Sequence, residues 1–246
     1  MRQTLFIAMA TTVLSMTCGR ISAAPPTPKA PVVVELFTSQ GCSSCPPADA
    51  LLIRLAQDPN VIPLSFHVDY WNHLGWSDPF SSAAWSQRQQ RYASQLGSNV
   101  YTPQAVVDGS VELVGSDESR ARRVIGEAGS RASSTSIRLT RNAGKITAEV
   151  SLRARVDANL QLIFVTYQRS VTTPVARGEN GGRTLRNDFV VRRLSVADEF
   201  RGEVGAHHAE MAPQIDAAWS KGPFGVVAFL QDPKSLKIYG AAVIEL

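Results

Sequence analysis

Residues 32–56 have the sequence VVVELFTSQGCSSCPPADALLIRLA. The run Val32–Thr38 is apolar on both faces and rich in β-branched side chains, which predicts a buried parallel strand. Apolar side chains recur at helical spacing after Pro46, and proline is tolerated in the first turn of a helix. We therefore expect Cys42 and Cys45 to lie at a strand-to-helix junction.

The first residues of the chain predict export. Arg2 precedes an apolar run from Leu5 to Leu14 and small residues up to Ala23, a pattern typical of a secretory signal peptide over residues 1–23. The apolar run is well short of the roughly 20 residues that span a bilayer, so no stable membrane insertion is expected after signal removal. The Pro-rich leader that follows, residues 24–31, is expected to be extended. We expect a periplasmic or secreted protein.

Composition excludes several classes of protein. With 44% hydrophobic and 19% charged residues, the 246-residue chain is neither disordered nor a multi-span membrane protein. Its 25 basic and 21 acidic residues are too evenly balanced to predict a nucleic-acid partner.

Removal of the signal peptide also removes Cys18, which leaves Cys42 and Cys45 in an oxidising compartment. An inert bridge closing so short a loop would remove little entropy from the unfolded chain. A structural zinc site needs four ligands, and no second ligand pair has finger-like spacing. Redox chemistry is favoured, with an inert bridge and a metal site as alternatives.

The predicted junction assigns different roles to the two thiols. A thiol at a helix N-terminus is stabilised as thiolate, so Cys42 is the predicted nucleophile. The spacing places Cys45 within disulfide reach, which makes it the predicted resolving thiol. Glu35 lies in the buried strand and is a predicted proton acceptor. No bound cofactor is expected, because the Cys42–Cys45 disulfide is itself the reactive group.

The segment Cys42-Ser43-Ser44-Cys45-Pro46 after a buried strand, with Tyr101-Thr102-Pro103-Gln104 before a later strand, resembles the thioredoxin superfamily. In that superfamily a Thr-Pro at this point is commonly a cis-proline loop that faces the cysteines. The resemblance implies that Thr102 and Pro103 join the catalytic site and pair with an extended substrate. It also supports Glu35 as the acid, although its spacing is one residue longer than is common in thioredoxins. The fold it implies for residues 32–130 is an α/β thioredoxin-like domain.

Aromatic side chains mark a predicted substrate-binding wall. Residues 69–85 hold three of the four tryptophans. We expect Tyr70, Trp71 and Trp76, together with Tyr101 beside the Thr-Pro pair, to contact substrate; a lid packing on its own core is the alternative.

The second half, residues 131–246, is predicted to be a β-rich, sandwich-like domain, because apolar and polar residues alternate in several runs. The segment Arg177–Leu185 carries three glycines and flanking arginines. It lacks the lysine and helix start of a phosphate loop, so a hairpin loop is favoured over an anion cradle.

Over nearly its full mature length the sequence resembles a domain-of-unknown-function family of predicted secreted bacterial proteins. The resemblance is carried by the segments Glu35–Asp49, Val68–Trp71, Tyr101–Gln104 and Arg177–Leu185. It implies a thioredoxin-like first domain joined to a β-rich second domain, with no established substrate.

These observations predict an exported thiol-disulfide oxidoreductase. Its expected partners are protein or peptide thiols and an unidentified redox partner. One alternative is a thioredoxin-fold metallochaperone that holds copper between Cys42, Cys45 and His67 or His73, because soft thiolates select Cu(I). Another alternative is a non-catalytic interaction module that uses the tryptophan-rich segment and the β-rich half.

Overall fold

The computed structural model describes residues 30–219 and 222–246. The predicted signal peptide, residues 1–23, and all but the last two residues of the predicted leader, residues 24–31, lie outside the described residues. None of the helices in the described part of the chain has the length and apolar character needed to cross a membrane.

Strands dominate the described residues, with 42% in strands and 18% in helices. The strands are β1 Val32–Thr38, β2 Val61–His67, β3 Gln104–Val107, β4 Val111–Val114, β5 Thr135–Asn142, β6 Lys145–Leu152, β7 Asn159–Gln168, β8 Val171–Pro174, β9 Thr184–Asn187, β10 Val190–Arg201, β11 Gly205–Met211, β12 Phe224–Gln231 and β13 Ile238–Glu245. The helices are α1 Pro46–Leu55, α2 Ala83–Leu96 and α3 Glu118–Gly129, with a 3-10 turn at Asn72–Leu74.

Local sequence explains the helix starts. Proline occupies the first turn of α1, where its missing N–H breaks no helical hydrogen bond. The Ser82 hydroxyl caps α2 by accepting from the Ala84 N–H, and the Asp117 carboxylate caps α3 by accepting from the Arg120 N–H.

The main sheet has eight strands in the order β13-β12-β7-β10-β2-β1-β3-β4. Strand β1 runs parallel to β2 and antiparallel to β3. The outer edge of β2 pairs with β10, where Val190 lies opposite Ser65 and the Ser65 N–H donates to the Phe189 carbonyl at 2.8 Å. Strands β7, β12 and β13 continue the sheet in antiparallel pairs.

A second, three-stranded sheet in the order β11-β6-β5 packs against the main sheet. The core between the two sheets is fully apolar and consists of Ile146, Ala148, Val150 and Leu152 from β6, Leu160, Leu162 and Phe164 from β7, and Val226, Ala228 and Leu230 from β12. Strands β8 and β9 form a separate two-stranded hairpin.

The predicted fold class, an α/β thioredoxin-like domain followed by a β-rich sandwich-like domain, is wrong. The chain is mainly β, and strands from both halves form one mixed eight-stranded sheet. A physical reason lies at the edge of β2, where the Ser65 N–H would be buried without a partner if it did not donate to the Phe189 carbonyl beside β10. The strand-to-helix junction predicted for the two cysteines is confirmed.

The sheet brings several segments to one edge. Strands β1 and β2 are parallel, so their carboxyl ends, Thr38 and His67, lie side by side. Strand β3 starts at the same edge, because Gln104 pairs with Phe37 near the end of β1. The loop after β1 and the loop before β3 therefore meet beyond the ends of the strands, where binding sites in such sheets commonly form.

Candidate functional site

Cys42 and Cys45 form a disulfide between β1 and α1, with their Cα atoms 5.4 Å apart. Cys45 is the N-cap residue of α1, and its carbonyl accepts from the N–H groups of Ala48 and Asp49. Both cysteine side chains are fully buried, whereas Ser43 and Ser44 between them are exposed. The Cys42 sulfur lies 3.3 Å from the Ser44 hydroxyl oxygen.

The Thr102–Pro103 peptide bond is cis, and Pro103 immediately precedes β3. Its position next to α1 is shown by Gly115, where an added Cβ would meet Pro103 at 3.2 Å and Ala48 at 3.3 Å. The structure thus brings the predicted Thr102 and Pro103 to the same edge as the cysteines.

Two of the predicted aromatic residues line the cysteine loop. The Trp71 indole Nε1–H donates to the Thr102 hydroxyl oxygen at 2.8 Å. Trp71 also packs beside Gly41, where an added Cβ would lie 3.1 Å from the Trp71 Cβ. The Trp76 Nε1–H donates to the Gln40 side-chain carbonyl at 3.2 Å. Both tryptophans are partly buried.

The two predicted tyrosines make contacts around this wall. The Tyr70 hydroxyl donates to the Gln89 side-chain carbonyl at 3.2 Å. The Tyr101 hydroxyl donates to the Glu112 carboxylate at 2.6 Å. Their hydroxyl groups are therefore engaged in the structure that supports the Thr-Pro loop.

Glu35 is fully buried on β1, but its carboxylate is held by α2. The Arg88 guanidinium donates to both carboxylate oxygens at 2.6 and 2.7 Å, and the Tyr92 hydroxyl donates at 2.9 Å. Gln231 of β12 joins this network through Arg88 and Tyr92. These contacts tie Glu35 into an ion pair, an arrangement that does not favour its predicted role as proton acceptor.

Sequence reasoning missed a second buried acid, Asp49. It lies one turn after Cys45 on α1, so both residues are on one face of the helix. Burial raises the pKa of Asp49 to about 7, although the nearby His67 and a hydrogen bond from Asn187 act in the opposite direction. One carboxylate oxygen has no hydrogen-bond partner. An acid among the apolar positions of α1 was the signal in the sequence.

His67 and Asp78 form a buried pair near Asp49. The His67 Nδ1 lies 2.6 Å from the Asp78 carboxylate, and Asp78 also accepts from the Gln40 N–H at 2.8 Å. Burial alone would lower the pKa of His67, but Asp78 and Asp49 together raise it. Burial alone would raise the pKa of Asp78, but its interaction with His67 lowers it. The three side chains form one electrostatically coupled cluster.

The described residues contain no group of three or more His, Cys, Asp and Glu side chains arranged to hold a metal ion. Of the alternative copper ligands Cys42, Cys45 and His67, the His67 Nδ1 lies beside the Asp78 carboxylate, and the two cysteine sulfurs are joined in the disulfide.

The hairpin loop Arg177–Leu185 reaches the cysteine loop from the second half of the chain. The fully buried Asn180 side chain donates to the carbonyls of Gln40 and Cys42, both at 2.9 Å. The Ser43 N–H donates to the Glu179 carboxylate at 2.9 Å. Sequence reasoning singled out this loop by composition but missed Glu179 and Asn180 as part of the site.

The chain matches a known protein family over most of its length. A family described as "Protein of unknown function (DUF1223)" matches residues 33–231. Among curated protein sequences, none matches the chain.

Solved structures that resemble the chain include one protein from Agrobacterium tumefaciens and one from Porphyromonas gingivalis. The crystal structure of protein AGR_C_4864 from Agrobacterium tumefaciens is 26% identical, with a TM-score of 0.73 over 89% of this chain and 95% of that chain. HBP35 of Porphyromonas gingivalis is 16% identical, with a TM-score of 0.63 over 89% of this chain and 76% of that chain, a likeness of fold alone.

Proposed function

We propose that this chain, which belongs to the DUF1223 family, is a thiol-disulfide oxidoreductase that acts on protein or peptide thiols through Cys42 and Cys45. The observation that carries the proposal is the disulfide at the start of α1, beside the loop that holds Thr102 and Pro103.

The reaction is a reversible exchange. In the oxidised protein, a substrate thiolate attacks the Cys42 sulfur, the Cys42–Cys45 bond breaks, and Cys45 leaves as a thiolate. A second substrate thiolate then attacks the substrate sulfur of the mixed disulfide, which forms the substrate disulfide and releases Cys42 as a thiolate. Two electrons pass from the substrate dithiol to the protein pair. Run in reverse, the same steps reduce a substrate disulfide, and an unidentified redox partner restores the starting state.

Asp49 moves the proton of Cys45 in this mechanism. A carboxyl whose pKa is about 7 holds or releases a proton readily near neutral pH. In the first direction it donates to the Cys45 thiolate as that sulfur leaves. In the reverse direction it accepts the Cys45 proton before Cys45 attacks the mixed disulfide. Asp49 takes the role that the sequence predicted for Glu35, because the Glu35 carboxylate is already paired with Arg88.

The substrate approaches along the wall formed by Trp71, Trp76 and Thr102. Trp71 and Trp76 contact the cysteine loop and the Thr-Pro loop, and they supply partly exposed apolar surface beside the disulfide. Because Cys42 is buried, exchange requires local opening of the segments that cover it. The exposed Ser43 and Ser44 mark the open side of the loop.

The protein works after export, in the periplasm or outside the cell. The predicted signal peptide supports this location, and an oxidising compartment of this kind is one in which disulfides form and persist.

The test uses Cys42→Ser and Cys45→Ser as a matched pair. Incubated with a peptide disulfide, reduced Cys45→Ser is expected to accumulate a mixed disulfide at Cys42, because the resolving thiol is missing. Cys42→Ser is expected to form much less adduct, and both variants should lose multiple-turnover exchange. Mass spectrometry of the trapped protein gives the site. If the wild-type disulfide fails to equilibrate with glutathione over hours, the chain is a non-catalytic interaction module instead.

A further inference from the structure

A carboxylate from the second half of the chain occupies the cysteine loop. The Glu179 Oε2 accepts from the backbone N–H of Ser43 at 2.9 Å, and Ser43 is the residue that follows Cys42. Hydrogen bonds from Ser43 lower the pKa of Glu179, so this side chain is ionised at neutral pH. The negative charge of Glu179 therefore lies against the loop that carries Cys42.

The neighbouring residues hold this carboxylate in place. Asn180, the next residue, is anchored by its two bonds to the carbonyls of Gln40 and Cys42. The Arg183 guanidinium donates to the Asn180 side-chain oxygen at 2.8 Å. Gly178 has a φ of 74°, a left-handed conformation that glycine adopts without strain. The contact between Glu179 and Ser43 is thus one of several hydrogen bonds that join the hairpin loop to the cysteine loop, although Glu179 itself is exposed.

The backbone N–H groups before a helix are the groups that stabilise a thiolate there. At this helix, the N–H groups of Cys42 and Cys45 donate to the carbonyls of Ser39 and Cys42. The Ser43 N–H is already used by Glu179. The Glu179 carboxylate therefore places a negative charge against the residue next to Cys42, and this charge disfavours a thiolate on Cys42.

We propose that Glu179 makes the Cys42 thiol a weaker acid and makes the reduction potential of the cysteine pair more negative. This inference rests on the proposed function, because it assigns the regulation of the same site. Glu179 is a positioning residue that acts through Ser43. Weaker stabilisation of the thiolate disfavours the reduced form of the pair, which makes the disulfide the more stable state and its reduction potential more negative.

Other charged groups face the site from the elements around it. Asp49 comes from α1, the His67–Asp78 pair comes from β2 and the tryptophan-rich segment, and Arg183 comes from the loop that carries Glu179. Asp49 and the His67–Asp78 pair are buried beneath the loop, and Arg183 is bonded to Asn180. The substitution chosen below leaves all of these groups unchanged.

The experiment compares wild type, Glu179→Gln and a control, Glu203→Gln, which changes an exposed glutamate in the turn after β10. Glutamine keeps an oxygen that can accept from the Ser43 N–H, so only the charge is removed. The thiol pKa of Cys42 is measured in the reduced proteins from the pH dependence of iodoacetamide alkylation, with the alkylated residue located by peptide fragmentation. The reduction potential is measured against glutathione.

In Glu179→Gln we expect the thiol pKa of Cys42 to fall by about one unit, which is about tenfold more thiolate below that pKa. The equilibrium constant with glutathione is expected to change by up to about tenfold, or about 30 mV, toward a less negative potential. Glu203→Gln should match wild type in both. Glu179→Ala, which also frees the Ser43 N–H, should shift the thiol pKa at least as far.

An unchanged Cys42 pKa in both Glu179 variants would overturn the inference, even if the wild type catalyses exchange. A lowered pKa together with a wild-type disulfide that does not exchange with glutathione would support the role of Glu179 and refute the proposed function. The alkylation measurement needs no catalysis, so the two failures are distinguishable.

Discussion

Substitution of Asp49 by asparagine changes how the stability of this protein depends on pH. The ordinary pKa of this carboxyl is 3.8, and burial raises it to about 7 in the folded protein. A carboxyl whose folded pKa lies above its unfolded pKa keeps its proton better in the folded state, so its contribution favours folding at low pH. That contribution is lost as the pH rises through the window from about 4 to about 7.

The magnitude follows from the shift. A change of about three pKa units, at about 1.4 kcal/mol per unit, means that ionised Asp49 costs the folded state about 4 kcal/mol above pH 7. About 2 to 3 kcal/mol of this cost develops between pH 5 and pH 8. An asparagine side chain does not ionise in this range. The folded state of Asp49→Asn is therefore expected to gain about 2 to 3 kcal/mol of stability relative to wild type between pH 5 and pH 8.

The assay is urea unfolding of the oxidised protein at pH 5 and pH 8. Asp157→Asn is the matched control, because that side chain is 99% exposed and its replacement should leave the pH dependence unchanged. The free energy of unfolding of Asp49→Asn, taken relative to that of wild type, should rise by about 2 to 3 kcal/mol from pH 5 to pH 8. Parallel curves for the two proteins would refute the assignment of a raised pKa to Asp49 and remove the basis for its role in proton transfer.

Two further substitutions test the covering loop and the shared core. Asn180→Ala removes two hydrogen bonds to the carbonyls of Gln40 and Cys42, each worth about 1 kcal/mol. The disulfide of this variant should therefore react at least about tenfold faster with dithiothreitol. An unchanged rate would show that this loop does not limit access of the reagent to the disulfide. Arg88→Met leaves Glu35 buried without its cation and should lower the free energy of unfolding, measured in urea, by about 3 to 5 kcal/mol. The double variant with Glu35→Gln should recover part of this free energy. No recovery would contradict the ion-pair explanation.

Local signals in the sequence were sufficient for the elements that hold the cysteines. The β-branched run of β1 and the prolines of α1 each favour one backbone conformation, and each agrees with its neighbours. The strand that follows Pro103 was found for the same reason. The start of α2 is not marked as clearly, because several serines and Asp78 are all residues that can cap a helix, and in the structure the cap is Ser82.

Pairing between distant strands was beyond sequence reasoning. Apolar alternation predicts that a segment is a strand, but it does not say which strand lies beside it. The link between the two halves of the main sheet is short, with Val190 opposite Ser65. Nothing in the local pattern of β10 marks this residue as a partner of β2. The predicted division into a thioredoxin-like half and a β-rich half was wrong because this pairing joins strands of both halves in one sheet.

The same limit applies to the roles of the buried acids. Glu35 and Asp49 both stand among apolar residues close to the cysteines in sequence, and burial raises the pKa of an isolated carboxyl in either position. Their roles are separated by partners far along the chain, Arg88 for Glu35 and Asn187 for Asp49. The arginine neutralises the charge of the Glu35 carboxylate, whereas the uncharged amide of Asn187 does not neutralise that of Asp49.

Gln40 shows why the site depends on both halves of the chain. Its backbone N–H is held by Asp78 and its side-chain oxygen by Trp76, both from the tryptophan-rich segment. Its side-chain amide donates to Asn187 at 2.9 Å, and its carbonyl accepts from Asn180, both from the second half. Without the second half these buried groups would lose their partners, at a cost of about 1 to 3 kcal/mol each. The geometry of the cysteine loop therefore depends on residues almost 150 positions away, and the β-rich half contributes to the candidate site as well as to the sheet.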